Sequence, residues 1–236
     1  MSFNYDKCKV MHFGKKNLKN IYEMSDKLGS IHKIEKTESE RDLVMIITNN
    51  LKWSAQVDKA AKTANSVLAQ IKNSFTYFEA ETVKLLYVAL VRPHLEFAIS
   101  VWNPYFHKDV DKLERIQRKA TKLVPVLRKK PYNFRLSQLE LTTLEIRRQR
   151  GDLIQFYKIL NKLDQVKWLK DPEQVMQNDE LGPAGNLRRE GGVRFHRGPG
   201  KIRTERDEYF LSRVIPLWNQ LPKKAKEAKH FQGRAR

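Results

Sequence analysis

Cysteine is nearly absent: Cys8 is the only one in 236 residues. A single thiol excludes an internal disulfide framework and any cysteine-ligated zinc finger or knuckle. It is compatible with a reducing cytosol or nucleus. Long apolar runs are missing too. The longest, from Leu85 to Val101, is broken by Arg92, Pro93, His94 and Glu96, so it is not a membrane span. The opening "MSFNYDKCKV" has no apolar segment of a secretory signal. Acidic residues are scarce: 27 Asp+Glu stand against 46 Lys+Arg, leaving a net charge of +19 and a pI near 9.9. A balance this basic points to nucleic acid, an anionic membrane surface or an acidic partner. Solubility alone would be better served by added acid. No basic amphipathic helix carries an exposed aromatic face, which disfavours the membrane surface. The expectation is an intracellular protein of nucleus or cytoplasm, without membrane association.

What is present divides the chain into four parts. Hydrophobic residues make up 40% and there are four Trp, enough for a real core in one large domain or two small ones. Residues 1–50 read as short strands and turns: "KVMHFG", "NIYEM", "SIHKI" and "DLVMIITNN". Too few to bury both of their faces, they predict a small antiparallel β remnant with exposed edges. Over residues 51–163 the period becomes helical. A first helix is capped by Ser54 and runs to about Phe75, with Val57, Ala61, Ala64, Leu68 and Ile71 inward. A second opens at Glu79 or Glu81, with Val83, Leu86, Tyr87, Leu90, Phe97, Ala98 and Val101 as its stripe and Pro93 as a kink. The third spans Asp109 to about Val124, with Leu113, Ile116, Ala120 and Leu123 inward. A fourth runs from Ser137 to about Leu163, its core stripe being Leu153, Phe156, Tyr157 and Leu160. Residues 164–200 hold six of the ten glycines and read as a linker or loop. Residues 201–236 contain a docking segment, "YFLSRVIPLWNQLP", and a basic tail. The fold class expected is mainly α, a helical bundle with its β remnant at the N-terminus.

The charge is concentrated. Lys108–Lys130 contains nine basic and three acidic residues, and Gly185–Arg236 fourteen and five. On the third helix Lys112, Arg115, Arg118, Lys119 and Lys122 avoid the apolar positions. They are candidates for phosphate contacts, which position a protein without reading sequence. Arg147, Arg148 and Arg150 begin a second candidate patch. The bland alternative for all of them is a solvated helix face.

The stretch "LYVALVRPHLEFAISVWNPYFHKDVDKLERIQRKATKL" resembles the region downstream of the polymerase palm in reverse transcriptases of non-LTR (LINE-like, jockey-like) retrotransposons. The matching landmarks are Leu86-Tyr87, Leu90 to Pro93, Glu96-Phe97, Val101 to Pro104 and Leu113 to Arg118. "FNYDKCKVMHFG" is similar to the end of the palm, and "RDLVMIITNNLKWSAQV" to the primer grip and the start of the thumb. "LEIRRQRGDLIQFYKIL" and "SRVIPLWNQLP" resemble later landmarks, so the likeness covers nearly the whole chain. It implies a thumb-like bundle that grips RNA or an RNA–DNA duplex. Two departures qualify it. The family usually has Asp-Leu-Gly-Val where this chain reads Asp42-Leu43-Val44-Met45, which removes a glycine suited to a turn. The adjacent palm aspartates that hold two metal ions in such polymerases have no counterpart, since no Asp-Asp dipeptide occurs. The family places that motif upstream of the position of Met1. The resemblance therefore implies no cofactor in this chain, magnesium being expected only with the missing catalytic palm. Polymerisation would need an upstream polymerase segment as partner.

Other features read more plainly. His107, Asp109 and Asp111 superficially resemble metal ligands, but acids in a first helical turn are expected from the macrodipole. "RGPGK" (Arg197–Lys201) lacks Walker spacing and is a basic turn. Trp53, Trp102 and Trp218 read as core or docking anchors. Arg92, Glu96 and Asn103 read as a polar network at the kink, and Cys8 as a small core residue. Three functions remain open at this stage: a nucleic-acid-binding module, one part of an RNA-directed DNA polymerase, and an interaction protein or relic with no nucleic-acid role.

Overall fold

The computed structural model describes residues 4–166, apart from Lys15 and Lys27, and residues 209–226. The expected linker beyond Val166, the "RGPGK" turn and most of the basic tail lie outside the described residues. The protein is mainly α with short strands in small sheets.

The strands are β1 (Lys9–Val10), β2 (Glu23–Ser25), β3 (Ile31–Lys33), β4 (Glu35–Lys36), β5 (Ser39–Asp42) and β6 (Met45–Thr48). They form three two-stranded ladders, not one sheet. β2–β3 and β5–β6 are antiparallel as expected, while β1–β4 is parallel. Leu18, Ile21, Leu28 and Ile31 around them are exposed, since two strands have no second face to bury. Cys8 sits here half-buried, its Sγ 3.3 Å from the Asn4 carbonyl, and not in the core as the sequence suggested.

Helix α1 (Ser54–Ser74) buries the stripe its sequence announces: Val57, Ala61, Ala64, Leu68 and Ile71. Its cap differs from expectation. Trp53 occupies the cap position without a side-chain bond, and the Ser54 hydroxyl instead donates 2.6 Å to Asp109. Next come α2 (Ala80–Leu86), a π turn over Tyr87–Val91, α3 (Arg92–Glu96) and α4 (Ile99–Trp102). The π turn explains the core stripe here. Pro93 in a regular helix would clash with the carbonyl of Ala89 and leave an acceptor unpaired. Widening the preceding turn, with the Arg92 N–H bonded to the Tyr87 carbonyl, absorbs the proline without ending the helix. Side chains then repeat every fourth residue, so Val83, Tyr87, Val91 and Leu95 point inward. Leu90, Phe97 and Val101, expected in the core from a 3.6-residue period, are exposed. Ala98 adopts a left-handed conformation (φ 51°), and this break returns Ile99 and Trp102 to the core.

Helix α5 (His107–Thr121) runs parallel to α1. The partners Ser54–Asp109, Asp58–Lys112 and Asn65–Lys119 advance together along both helices. A separate short helix not expected from the sequence, α6 (Tyr132–Gln138), comes next, and the expected fourth helix from Ser137 starts later, as α7 (Leu144–Leu160). Glu140 at φ 50° stops the first, and Thr143 caps the second by accepting from the Ile146 N–H at 3.3 Å. Helix α8 (Phe210–Gln220) docks on α7, burying Phe156, Tyr157, Val214, Ile215 and Trp218 together, with the Phe156 and Trp218 rings edge-on at 5.3 Å. A final short turn, α9 (Lys223–Lys226), follows. Among the described residues no helix is long and apolar enough to cross a membrane.

The β5–β6 hairpin closes through a two-residue turn at Leu43 and Val44, with φ of 42° and 77°. Two positive angles are what a type I′ turn requires, and glycine is the residue that meets them at no steric cost. A β-branched valine there is strained, at the position where the resembling family has its glycine. Val44→Gly should therefore raise stability by about 1 kcal/mol in urea unfolding. A loss of stability would contradict the turn.

Candidate nucleic-acid interface

Helix α5 has two opposite faces. At about 100° per residue, Lys108, Lys112, Arg115, Arg118, Lys119 and Lys122 fall within roughly one third of the circumference. Asp111 is the one acid among them. The other side buries Asp109, Leu113, Glu114, Ile116, Gln117, Ala120 and Thr121.

That inner side is not simply apolar. Tyr87 Oη donates to Gln117 Oε1 at 2.6 Å. Gln117 Nε2 donates to Tyr132 Oη and to the Thr142 carbonyl, both at 2.9 Å. The Tyr132 hydroxyl donates to Glu114, whose other oxygen accepts the Leu144 N–H at 3.1 Å. Every polar group of Gln117 is satisfied, and the network joins the π turn, α5, α6 and the start of α7. Glu114 is only 7% exposed and Arg148 only 3%. Arg148 is a buried cation whose Nη1 has no hydrogen-bond partner: burial lowers its pKa, and the charge of Glu114 opposes that shift. Arg118 and Arg135 flank the Tyr132 ring at 5.1 and 5.3 Å.

The outer face is set by this inner one. Arg115, Arg118, Lys119 and Lys122 are exposed, and Lys112 is half-buried. Lys112 pairs with Asp58 on α1, and Lys119 donates 3.2 Å to Asn65. Both contacts are at the surface, where ion pairs contribute little and exchange readily. Because α1 and α5 are parallel, Lys62 and Lys72, on the α1 face that carries Asp58 and Asn65, extend the same basic plate. Sequence periodicity treats each helix alone and misses them.

The second sequence-derived patch is not brought to this plate as a unit. Arg147 is half-buried in a bidentate pair with Glu96, one arm at 2.9 Å, and Arg92 approaches the same carboxylate at 3.8 Å. Arg148 faces the core, and Arg150 is half-buried. Asn103 turns to Asp152, which also receives Arg213 at 2.8 and 3.1 Å. The polar network expected at the kink thus exists in two pieces, one on Glu96 and one on Asp152. Asp109 is taken up by Ser54.

Compared with family models, with curated proteins and with solved structures, the chain finds no match in any of the three.

The node has a pH signature. Burial pushes the Tyr87 and Tyr132 phenols well above their ordinary value near 10, and the bond to Glu114 raises Tyr132 further. The folded state holds these protons where the unfolded chain releases them. Their contribution to stability is whole below about pH 10 and falls as pH rises beyond it. Absorbance titration at 295 nm should show Tyr87 and Tyr132 ionising only as the protein unfolds, their signals identified by Tyr87→Phe and Tyr132→Phe. All eight tyrosines titrating reversibly as free phenols would contradict the node.

Proposed function

We propose that the chain is a nucleic-acid-binding module that grips the phosphates of RNA or an RNA–DNA duplex through the outer face of α5, without sequence preference and without catalysis of its own. The observation that carries this reading is the division of α5 into a cationic side and a buried side pinned by the Glu114–Gln117 node. Six cations spread over four turns form an extended row of positive charge, which suits a chain of phosphates better than a compact anion. The resemblance to the region beyond the palm of non-LTR reverse transcriptases agrees with it, a thumb being a bundle that must keep its shape while holding a duplex. Lys112, Arg115, Arg118, Lys119 and Lys122 are the contacts, with Lys62 and Lys72 alongside. Arg147 ties α7 to Glu96, and Arg148 lies buried in the bundle.

A second reading has one observation in its favour. The ladders β1–β4 and β2–β3 present unpaired strand edges and exposed Ile21, Tyr22 and Ile31. Such edges accept another strand, as they would if an upstream polymerase segment supplied a palm and the magnesium chemistry.

Binding to an RNA–DNA duplex should weaken steeply with salt, each neutralised phosphate contributing roughly 0.9 to the slope of log K against log salt. Replacing the five α5 residues by alanine should reduce that slope by about 4, and Arg115→Ala alone by about 1. A slope unchanged in the five-alanine variant would overturn the assignment.

A further inference from the structure

The basic plate extends beyond its two helices. Where α1 and α5 reach their C-termini, the cations continue past Lys122 into Arg128, Lys129 and Lys130, all exposed. Large aromatic side chains appear in the open at the same end. Tyr77, just beyond α1, is 71% exposed, and Phe134 on α6 is 45% exposed. Their placement follows from the packing. Phe78, next to Tyr77, packs against the cluster of Val83, Val124, Leu127 and Leu139, two of whose members, Val124 and Leu127, lie just past the end of α5. Arg135, next to Phe134, donates 3.0 Å to Thr121 and 2.7 Å to the Lys130 carbonyl. Lys130 Nζ stands 5.9 Å from the centre of the Phe134 ring. Along the plate itself the rings beside the cations, Tyr132 next to Arg118 and Phe106 next to Lys52 and Lys108, are half-buried.

Exposed rings among cations suit unpaired nucleotides better than a duplex. A duplex presents phosphates and hides its base faces, so Tyr77 and Phe134 would gain nothing from it. A single strand offers both, and a base stacked on an aromatic ring is bound with little regard for its identity. We propose that this end of the bundle binds single-stranded nucleic acid where it leaves the duplex, with Tyr77 and Phe134 as stacking platforms and Lys122, Arg128, Lys129 and Lys130 on the adjoining phosphates. The inference rests on the duplex reading above and adds a junction to it: the ligand is a duplex with an unpaired tail.

The test uses the full chain with blunt RNA–DNA duplexes and with duplexes bearing a five-nucleotide 5′ or 3′ overhang that contains 2-aminopurine. One of the overhung duplexes should bind at least about fivefold more tightly than the blunt one, as one stacked base would give, with a change in 2-aminopurine fluorescence. In the double variant Tyr77→Leu/Phe134→Leu the preference should vanish and the blunt affinity persist. Both side chains lie at the surface, so an unchanged melting temperature verifies the fold. Blunt and overhung duplexes binding equally would overturn the junction and leave the duplex reading standing. A preference that survives in the double variant would overturn the role of the two rings and point to a protein partner for them. No binding of any duplex would overturn the duplex reading and the junction with it.

Discussion

Glu114 places a carboxylate inside a helical bundle, and the arrangement of the described helices depends on how that charge is met. An unpaired buried carboxylate would be intolerable. Here it accepts from Tyr132 and from the Leu144 N–H. Gln117, one turn on, adds Tyr87 and the Thr142 carbonyl. Hydrogen-bond partners in the π turn, α6 and the entry to α7 thus fix the rotation of α5 about its own axis. Turning it by one residue would expose Glu114 and bury a lysine. The cationic face is a consequence of that lock as much as of the lysines and arginines on it.

A second buried acid, Asp152, plays the corresponding part for α8. It is 1% exposed and holds Arg213 in a bidentate pair, while Arg213 also reaches the Ser100 carbonyl. Helix α8 is therefore tied to α7 and α4 by charge as well as by Trp218 and Phe156. The two acids divide the arginines by task. Arg148 and Arg213 serve the interior, Arg147 bridges to Glu96, and those of α5 remain at the surface. Net charge alone cannot make that distinction, since every arginine adds the same amount to +19.

Much of this was legible in the sequence. The stripe of α1 and the inward positions Leu113, Ile116 and Ala120 follow from apolar periodicity, because each lies in a regular helix, and Trp218 was legible as a docking anchor from its large ring in an apolar segment. Periodicity failed where the helix is irregular. The π turn before Pro93 placed Val91 and Leu95 inward in place of Leu90, the left-handed Ala98 placed Ile99 and Trp102 inward in place of Phe97 and Val101, and no 3.6-residue template contains either step. The break between α6 and α7 was written in Thr142-Thr143 but masked by an unbroken helical composition. Gln117 offered a fainter signal, a polar residue one position after Ile116 and on the buried side. Its four-segment network is a tertiary fact. The same holds for the plate: the constant offset that sets α1 parallel to α5, and so brings Lys62 and Lys72 beside Lys112 and Lys119, exists only in three dimensions. The valine in the β5–β6 turn was visible as an absence of glycine, and the positive φ at Val44 gives that absence its physical cost.

The most direct test of the grip is lysine acetylation read by mass spectrometry, with and without a saturating RNA–DNA duplex. The account predicts that Lys112, Lys119 and Lys122 are modified markedly more slowly in the complex, while Lys33 and Lys36 on the β ladders react as before. Equal rates on α5 with and without duplex, or protection confined to the ladders, would contradict it.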